Sequence, residues 1–374
     1  MIYLDNAATT YMKPRKVFEA TGKSYANPGR GGHKLACAAG DIIYKCREAL
    51  CDFLSAENPC NIIFTCNTTD ALNIAIKGLI KQGDHVITSG MEHNSVIRPL
   101  IGVGADISIA MPDLAGRVDA SKILPLIRDN TRLIAITHAS NICGTINPIR
   151  EIGSLSRSHG IPFLVDAAQT AGVFPINVQD ANIDFLAFAG HKLLFGPQGT
   201  GGLYIKNPDL LTPFREGGTG SLSESLEQPN FLPDKFESGT LNTNGIAGLL
   251  EGVKFITRTG LDTISSREEE LTELLLEGLK TMPNVTIYGE PEAVGRVGVV
   301  GFNIEGIDCV DVSAALSEKY GIASRAGLHC AALAHKSMGT TDIGMIRLSV
   351  SFLNKKSDIK IALGALKKIS TEAI

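Results

Sequence analysis

Through the first two thirds of the chain, short β-branched runs alternate with segments of helical period, and this alternation restricts the possible folds more than any other feature. It is the pattern of βαβ units, which build a mostly parallel sheet covered by helices. Strands are expected at 62–65, 85–88, 107–110, 133–137, 163–165, 185–188 and 202–205. Helices are expected between them, for example at 70–80 and at 149–159, where Ile149, Ile152 and Leu155 recur on one face. From about Gly245 the pattern changes to longer helices, one carrying Leu271, Leu274, Leu275 and Leu279, followed by strands at 285–288, 297–303 and 345–351. The fold class read from this order is α/β, with a large sheet domain over 21–250 and a smaller α+β domain made of 1–20 and 251–374. The Gly-, Ser- and Pro-rich stretch 216–239 lacks periodicity and is long for a loop, which points to function or mobility.

Composition narrows the class of function. With 374 residues, 44% of them hydrophobic, the chain buries a sizeable core. Its 35 basic and 39 acidic residues leave no positive excess for a nucleic-acid backbone, so nucleic acid is not an expected partner. The opening residues Met1 to Asn6 have no cationic region leading into an apolar one, and the expected location is the cytoplasm. The most apolar long stretch, 161–176, is broken by Pro162, Asp166, Gln169 and Pro175, so no membrane span is expected. Eight cysteines without a Cys-x-x-Cys pair or a His-x-x-x-His partner argue against a structural zinc or a disulfide framework. Seven of them are expected to be inert buried thiols.

Chemistry concentrates at a few strand ends. Asp166-Ala167-Ala168-Gln169 follows one expected strand and His191-Lys192 the next, which would let a carboxylate and an amine face each other across one crevice at the carboxyl edge of the sheet. Pyridoxal phosphate needs such a pair, a lysine for its aldehyde and an aspartate to keep its ring nitrogen protonated. A strand-end aspartate also caps helices and a strand-end lysine is also a surface group, so position alone leaves both readings open. Asn67-Thr68-Thr69-Asp70, between a strand and a helix, suits either a phosphate cradle or a simple N-cap. Met91-Glu92-His93-Asn94-Ser95 puts an imidazole at another strand end, able to stack on an aromatic ring or to be an ordinary surface histidine. In the second domain, Ser324 to Ala331 sets Cys330 beside Arg325 and His329, surroundings that favour a nucleophilic thiolate, while Arg347 downstream could grip a carboxylate.

Together these pieces resemble the cysteine desulfurases among the fold-type I, class V aminotransferase-like pyridoxal phosphate enzymes. The resemblance spans essentially the whole chain: Tyr3-Leu4-Asp5-Asn6-Ala7-Ala8-Thr9-Thr10, Asn27-Pro28, Arg30-Gly31-Gly32-His33, Thr68-Thr69, Glu92-His93-Asn94, Ser140-Asn141, Asp166-Ala167-Ala168-Gln169, Gly190-His191-Lys192, Glu237-Ser238-Gly239-Thr240 and Arg325-Ala326-Gly327-Leu328-His329-Cys330-Ala331. It implies that Lys192 holds the cofactor aldehyde, Asp166 the ring nitrogen and Gln169 the phenolic oxygen, with His93 stacked on the ring. It implies a phosphate site of Thr68, Thr69 and His191, completed by Thr240 from the partner subunit of a homodimer, and a substrate carboxylate held by Asn141, Arg347 and Arg325. The implied reaction begins with L-cysteine displacing Lys192 from the aldehyde, after which Lys192 removes the Cα proton. Cys330 then attacks the substrate sulfur, alanine leaves, and the persulfide passes to an acceptor protein.

Two positions depart from the family pattern. Ala189 stands where a phosphate-binding serine is usual, shifting that role toward Thr68, Thr69 and Thr240, and Leu328 replaces a histidine found in one branch. The competing readings are a selenocysteine lyase acting on L-selenocysteine, a class V aminotransferase, which has no need of Cys330, and a non-catalytic sulfur-relay scaffold, which has no need of Lys192, Asp166 and Cys330 together.

Overall fold

The computed structural model describes residues 1–28 and 32–372. The resemblance residues Arg30 and Gly31 lie outside these. After β1 (Ile2–Tyr3), helices α1 (Arg15–Thr21) and α2 (Lys34–Leu54) lead into a seven-stranded sheet. Its elements, in chain order, are β2 (Ile62–Thr65), α3 (Thr68–Leu79), β3 (His85–Ser89), α4 (Asn94–Gly102), β4 (Asp106–Ala110), α5 (Ala120–Ile123), β5 (Thr131–Thr137), α6 (Ile149–Ser158), β6 (Phe163–Asp166), β7 (Phe185–Ala189) and β8 (Gly201–Ile205). The strand order is β2-β8-β7-β6-β5-β3-β4. Strands β3 to β7 are parallel, and β8 alone runs antiparallel to both its neighbours.

Every strand expected in this region forms, with ends shifted by no more than two residues. Apart from the edge strand β4, which is partly exposed, the strands are buried on both faces, and alternation assigns each side chain to a side. In β5, Ile134 and Ile136 enter one core while Leu133 and Ala135 enter the other; Phe163 and Val165 of β6 oppose Leu164 in the same way. Helix α3 begins two residues earlier than expected because the Asn67 side chain accepts the Asp70 N–H at 2.9 Å and so caps it.

Beyond the 216–239 stretch, which has turns but no helix or strand and buries Phe236 and Glu237, α7 (Thr243–Thr259) still packs on the large sheet's core through Ile246, Leu249, Val253 and Ile256. Then follow α8 (Leu261–Lys280), β9 (Val285–Tyr288), β10 (Val299–Ile304), α9 (Cys309–Tyr320), β11 (Ile322–Ala323), β12 (Arg325–Gly327), α10 (Ala332–Ser337), β13 (Met345–Ser349) and α11 (Lys356–Glu372). An antiparallel sheet of order β12-β13-β10-β9 forms here, with its own core of Leu271, Leu275, Phe302, Leu316, Leu348 and Leu366. The amino terminus joins this part: β1 pairs with β11, and Asp5 bridges to Ser349. A small cluster of Met91, Ile142, Cys143, Ala331, Ala334 and Met345 packs between the two sheets. Among the described residues no helix is long and apolar enough to cross a membrane.

All eight cysteines are free, and the expectation that seven are buried needs correction. Cys46, Cys51, Cys143 and Cys309 are buried, Cys60 is half-buried, and Cys37 and Cys66 are exposed, as is Cys330. Cys66 lies in the β2–α3 turn, where a short connection at the sheet edge leaves it uncovered.

Candidate active site

Adjacent parallel strands β6 and β7 end at the same edge of the sheet, and their last residues and following turns bring a carboxylate to an amine. Asp166 is the final residue of β6, buried, with one oxygen accepting the Ala168 N–H at 2.9 Å. Burial pushes its carboxyl upward, opposed by that hydrogen bond and by Lys192. Lys192 comes three residues after β7. Burial is the main cause that brings its amine down to about 8, and Arg347 and Arg325 press in the same direction against Asp166.

The loop bearing Lys192 is clamped by the amino-terminal segment. Thr10 Oγ1 donates to the Lys192 carbonyl at 2.9 Å, and the His191 carbonyl accepts from Thr9 Oγ1 and from Lys13 Nζ, each at 3.2 Å. This is the physical role of the opening residues.

One cavity is lined by Asn67, Thr68, Thr69, His93, Ser95, Asn141, Asp166, Gln169, His191 and Lys192. The structure therefore gathers eight of the residues singled out in the sequence. Several features fit pyridoxal phosphate. At the amino terminus of α3, where the first-turn N–H groups have no intrahelical acceptor, the buried Thr68 Oγ1 has no partner, while Thr69 Oγ1 meets Ser95 Oγ at 2.8 Å. The helix can sit this close to the sheet because position 201 is glycine: a Cβ there would lie 2.7 Å from the Asn67 carbonyl carbon. His93, which lines the cavity, accepts the Ser95 N–H on its Nδ1 at 3.0 Å, and burial followed by Lys192 lowers its pKa to about 4, so it is neutral near pH 7. Gln169 is anchored by its amide to the Ala7 carbonyl at 3.1 Å.

A second cavity adjoins the first. It is lined by Lys77, Asn94, Arg98 and Cys330 and shares Thr69, His93 and Ser95 with its neighbour, so the Cys330 thiol and Lys192 stand on two sides of one wall. His329 and Cys330 adopt left-handed backbone angles, φ 50° and 56°, costing about 1–3 kcal/mol each in residues other than glycine. Two hydrogen bonds from the large sheet's connections hold the turn: the Asn94 N–H donates to the Cys330 carbonyl at 2.8 Å, and Asn141 Nδ2 to the His329 carbonyl at 2.9 Å.

Arg325 and Arg347 stand opposite each other in the β12–β13 pairing. Arg347 is buried; its Nη2 donates to Asp5 at 2.6 Å and its Nη1 to the Asn141 carbonyl at 2.9 Å. Sequence reading missed Asp5 in this role, since nothing local links it to a strand near the other end of the chain. Sequence alone assigns Glu92 no part. It lies buried beneath the site, one oxygen accepting from Ser89 and from the Thr137 N–H, the other without a partner, and burial raises its carboxyl to about 8.

Thr240 stands apart, lining a surface cavity with Tyr44, Gly218 and Thr219. A larger groove of about 630 Å³, lined by Phe53, Arg150, Pro175, Lys254 and Arg258 among others, holds none of these residues. Among the described residues no group of three or more His, Cys, Asp or Glu could hold a metal ion.

A mostly parallel sheet whose carboxyl edge carries a facing lysine and aspartate beside a helix N-terminus defines an aminotransferase-like enzyme of the pyridoxal-phosphate-dependent class. The aminotransferase class-V family matches residues 2–361. A probable cysteine desulfurase of Methanothermobacter thermautotrophicus is 34% identical over 99% of this chain and 94% of its own, and a cysteine desulfurase of Escherichia coli O127:H6 is 34% identical over 99% and 93%. Among solved structures, the apo cysteine desulfurase of Thermococcus onnurineus NA1 superposes with a TM-score of 0.92 at 34% identity, covering 99% of this chain and 95% of that one. The cysteine desulfurase CsdA of Escherichia coli gives 0.87 at 28% identity, with coverage of 100% and 95%. The chain belongs to the class-V aminotransferase family and, within it, to the cysteine desulfurases.

Proposed function

We propose that the protein takes sulfur from L-cysteine with pyridoxal phosphate as cofactor, releases L-alanine, and keeps the sulfur as a persulfide on Cys330 for an acceptor protein. The shared wall between the Lys192 cavity and the Cys330 cavity carries this reading, because the two reacting side chains must reach one substrate.

The cofactor, when bound, supplies an aldehyde for an amine and a protonated ring that draws electrons from the substrate Cα. Lys192 would hold the aldehyde, Asp166 the ring nitrogen, Gln169 the phenolic oxygen and His93 the ring face; Thr68, Thr69 and His191 would hold the phosphate. Lys192, with its amine lowered to about 8, moves the Cα proton. Asn141, Arg325 and Arg347 orient the substrate carboxylate. Cys330 Sγ attacks the substrate sulfur: an S–S bond forms, the Cβ–S bond breaks, and its electron pair stays on the carbon side, which takes up a proton on the way to alanine.

The position of Thr240, away from the phosphate cradle of its own chain, supports a homodimer in which it serves the partner's site. The division into 21–250 and 1–20 with 251–374 is likewise part of the proposal, although Val253 and Ile256 of α7 pack on the large core, and the cytoplasm is the proposed location. Purified protein tested for near-visible cofactor absorbance, and for alanine with sulfide or selenide from L-cysteine and L-selenocysteine in parallel, decides among desulfurase, lyase and aminotransferase. Alanine without persulfide from L-cysteine would contradict the proposal.

A further inference from the structure

Behind the Cys330 turn, outside both cavities, two imidazoles lie edge to edge with nearly parallel planes. The rings of His329 and His335 are 5.6 Å apart with planes 10° from parallel. His329 Nδ1 is 3.4 Å from His335 Nε2, and His335 Nδ1 is 2.8 Å from the Thr340 hydroxyl. At the other end, His329 Nε2 faces the Arg325 carbonyl oxygen at 3.4 Å. His335, Thr340 and His329 are all buried, at 0%, 1% and 5% exposure, so the nitrogens must satisfy one another.

The ends of this chain fix its direction. A carbonyl oxygen only accepts, so His329 Nε2 carries the proton. Burial keeps both rings neutral, that of His329 down to about 3. His329 Nδ1 is then an acceptor, His335 Nε2 the donor to it, and His335 Nδ1 accepts from the Thr340 hydroxyl. With the Thr340 hydroxyl turned to His335 Nδ1 and not to the His335 carbonyl 3.5 Å away, this one placement of protons satisfies every ring nitrogen.

We propose that His335 is a positioning residue for Cys330: by donating to His329 it fixes the tautomer and orientation of that ring, and through it the left-handed turn that presents the thiol to the substrate. The hydrogen bonds from Asn94 and Asn141 grip the turn by its carbonyls alone, so the His329 ring is its side-chain anchor. Helix α10 starts two residues after the thiol and is tied to it, the His335 N–H donating to the Ala331 carbonyl at 3.0 Å. Since both nitrogens of His329 are engaged, the ring braces the turn and does not take the thiol proton. The inference rests on the reading of Cys330 as sulfur acceptor, but its first test does not need turnover.

That test is the ¹⁵N-histidine NMR spectrum of the holoenzyme at pH 7, with the His329 signals assigned by their loss in His329→Asn. The spectrum should show His329 neutral and protonated on Nε2. A doubly protonated ring or the Nδ1 tautomer overturns the proposal, whether or not any variant folds and whether or not the wild type desulfurates L-cysteine. The second test compares three substitutions. His335→Gln restores an N–H near the Nε2 position, His335→Asn reaches only toward Thr340, and His335→Phe fills the volume with neither. Phe and Asn should lower kcat about tenfold with little change in KM, and Gln should recover most of it. A Gln variant as slow as Phe, or a Phe variant as fast as the wild type, overturns the proposal.

Discussion

The amine and the thiol of this site are held in opposite ways. Lys192 rides just beyond a central strand, its loop clamped by Thr9, Thr10 and Lys13, with Asp166 fixed at the end of the neighbouring strand. Cys330 sits on a left-handed turn at the margin of the smaller sheet, held by hydrogen bonds from Asn94, Asn141 and the rings behind it. On the proposed function, charges that must stay in register with a flat ring would be set by the rigid sheet, and the nucleophile that must meet the substrate and then an outside acceptor would be set on a turn whose geometry depends on both sheets.

The comparison breaks first at Lys192. Lys192→Ala should abolish the covalent, borohydride-reducible attachment of the cofactor and lower turnover by about 10²–10⁴-fold, since proton movement at Cα loses its group. Reductive trapping of the cofactor on another lysine, read by mass spectrometry, would remove Lys192 from its role. The rigid side can next be tested through Glu92. Its folded pKa of about 8 lies above the ordinary 4.5, so the folded state keeps a proton that the unfolded chain releases. Stability is full below 4.5 and falls as pH rises toward 8, by up to about 1.4 kcal/mol per pH unit. Glu92→Gln removes that slope: thermal melts should match the wild type near pH 4.5 and exceed it at pH 8. An equal difference at both pH values would place the proton elsewhere.

Arg347 joins the two regions through Asp5 and the Asn141 carbonyl. Arg347→Lys loses the forked geometry, and kcat/KM for L-cysteine should fall about tenfold or more, near 1.5–3 kcal/mol for a charged hydrogen bond. An unchanged kcat/KM would place the substrate carboxylate away from Arg347. The smallest effect is expected at Asn141→Ala, which releases one carbonyl of the turn at a cost of about 1 kcal/mol, or roughly fivefold in kcat. An unchanged kcat, with only KM raised, would mean that Asn141 serves the substrate carboxylate alone and does not hold the turn.

The same contrast explains what could be read from sequence. The strands of the large sheet are continuous apolar runs bounded by turns, so Phe163 to Val165 and Phe185 to Phe188 announced themselves, and with them the ends that carry Asp166 and Lys192. The reversed direction of β8 left no trace in its residues, because Gly201 to Ile205 reads alike either way. Asp5 meets Arg347 only through a long-range pairing of the amino terminus with β13, which no local pattern encodes. The His329–His335–Thr340 chain is hidden for another reason: its spacing resembles any short helix, and its meaning lies in burial.

The central claim is that the thiol across the wall from Lys192 receives the sulfur. Wild-type holoenzyme treated with L-cysteine, quenched with an alkylating tag and mapped by mass spectrometry should carry the persulfide on Cys330, and Cys330→Ala should carry none while still binding cofactor. Persulfide on Cys37 or Cys66, which are also exposed, or undiminished L-cysteine turnover in Cys330→Ala, would contradict it.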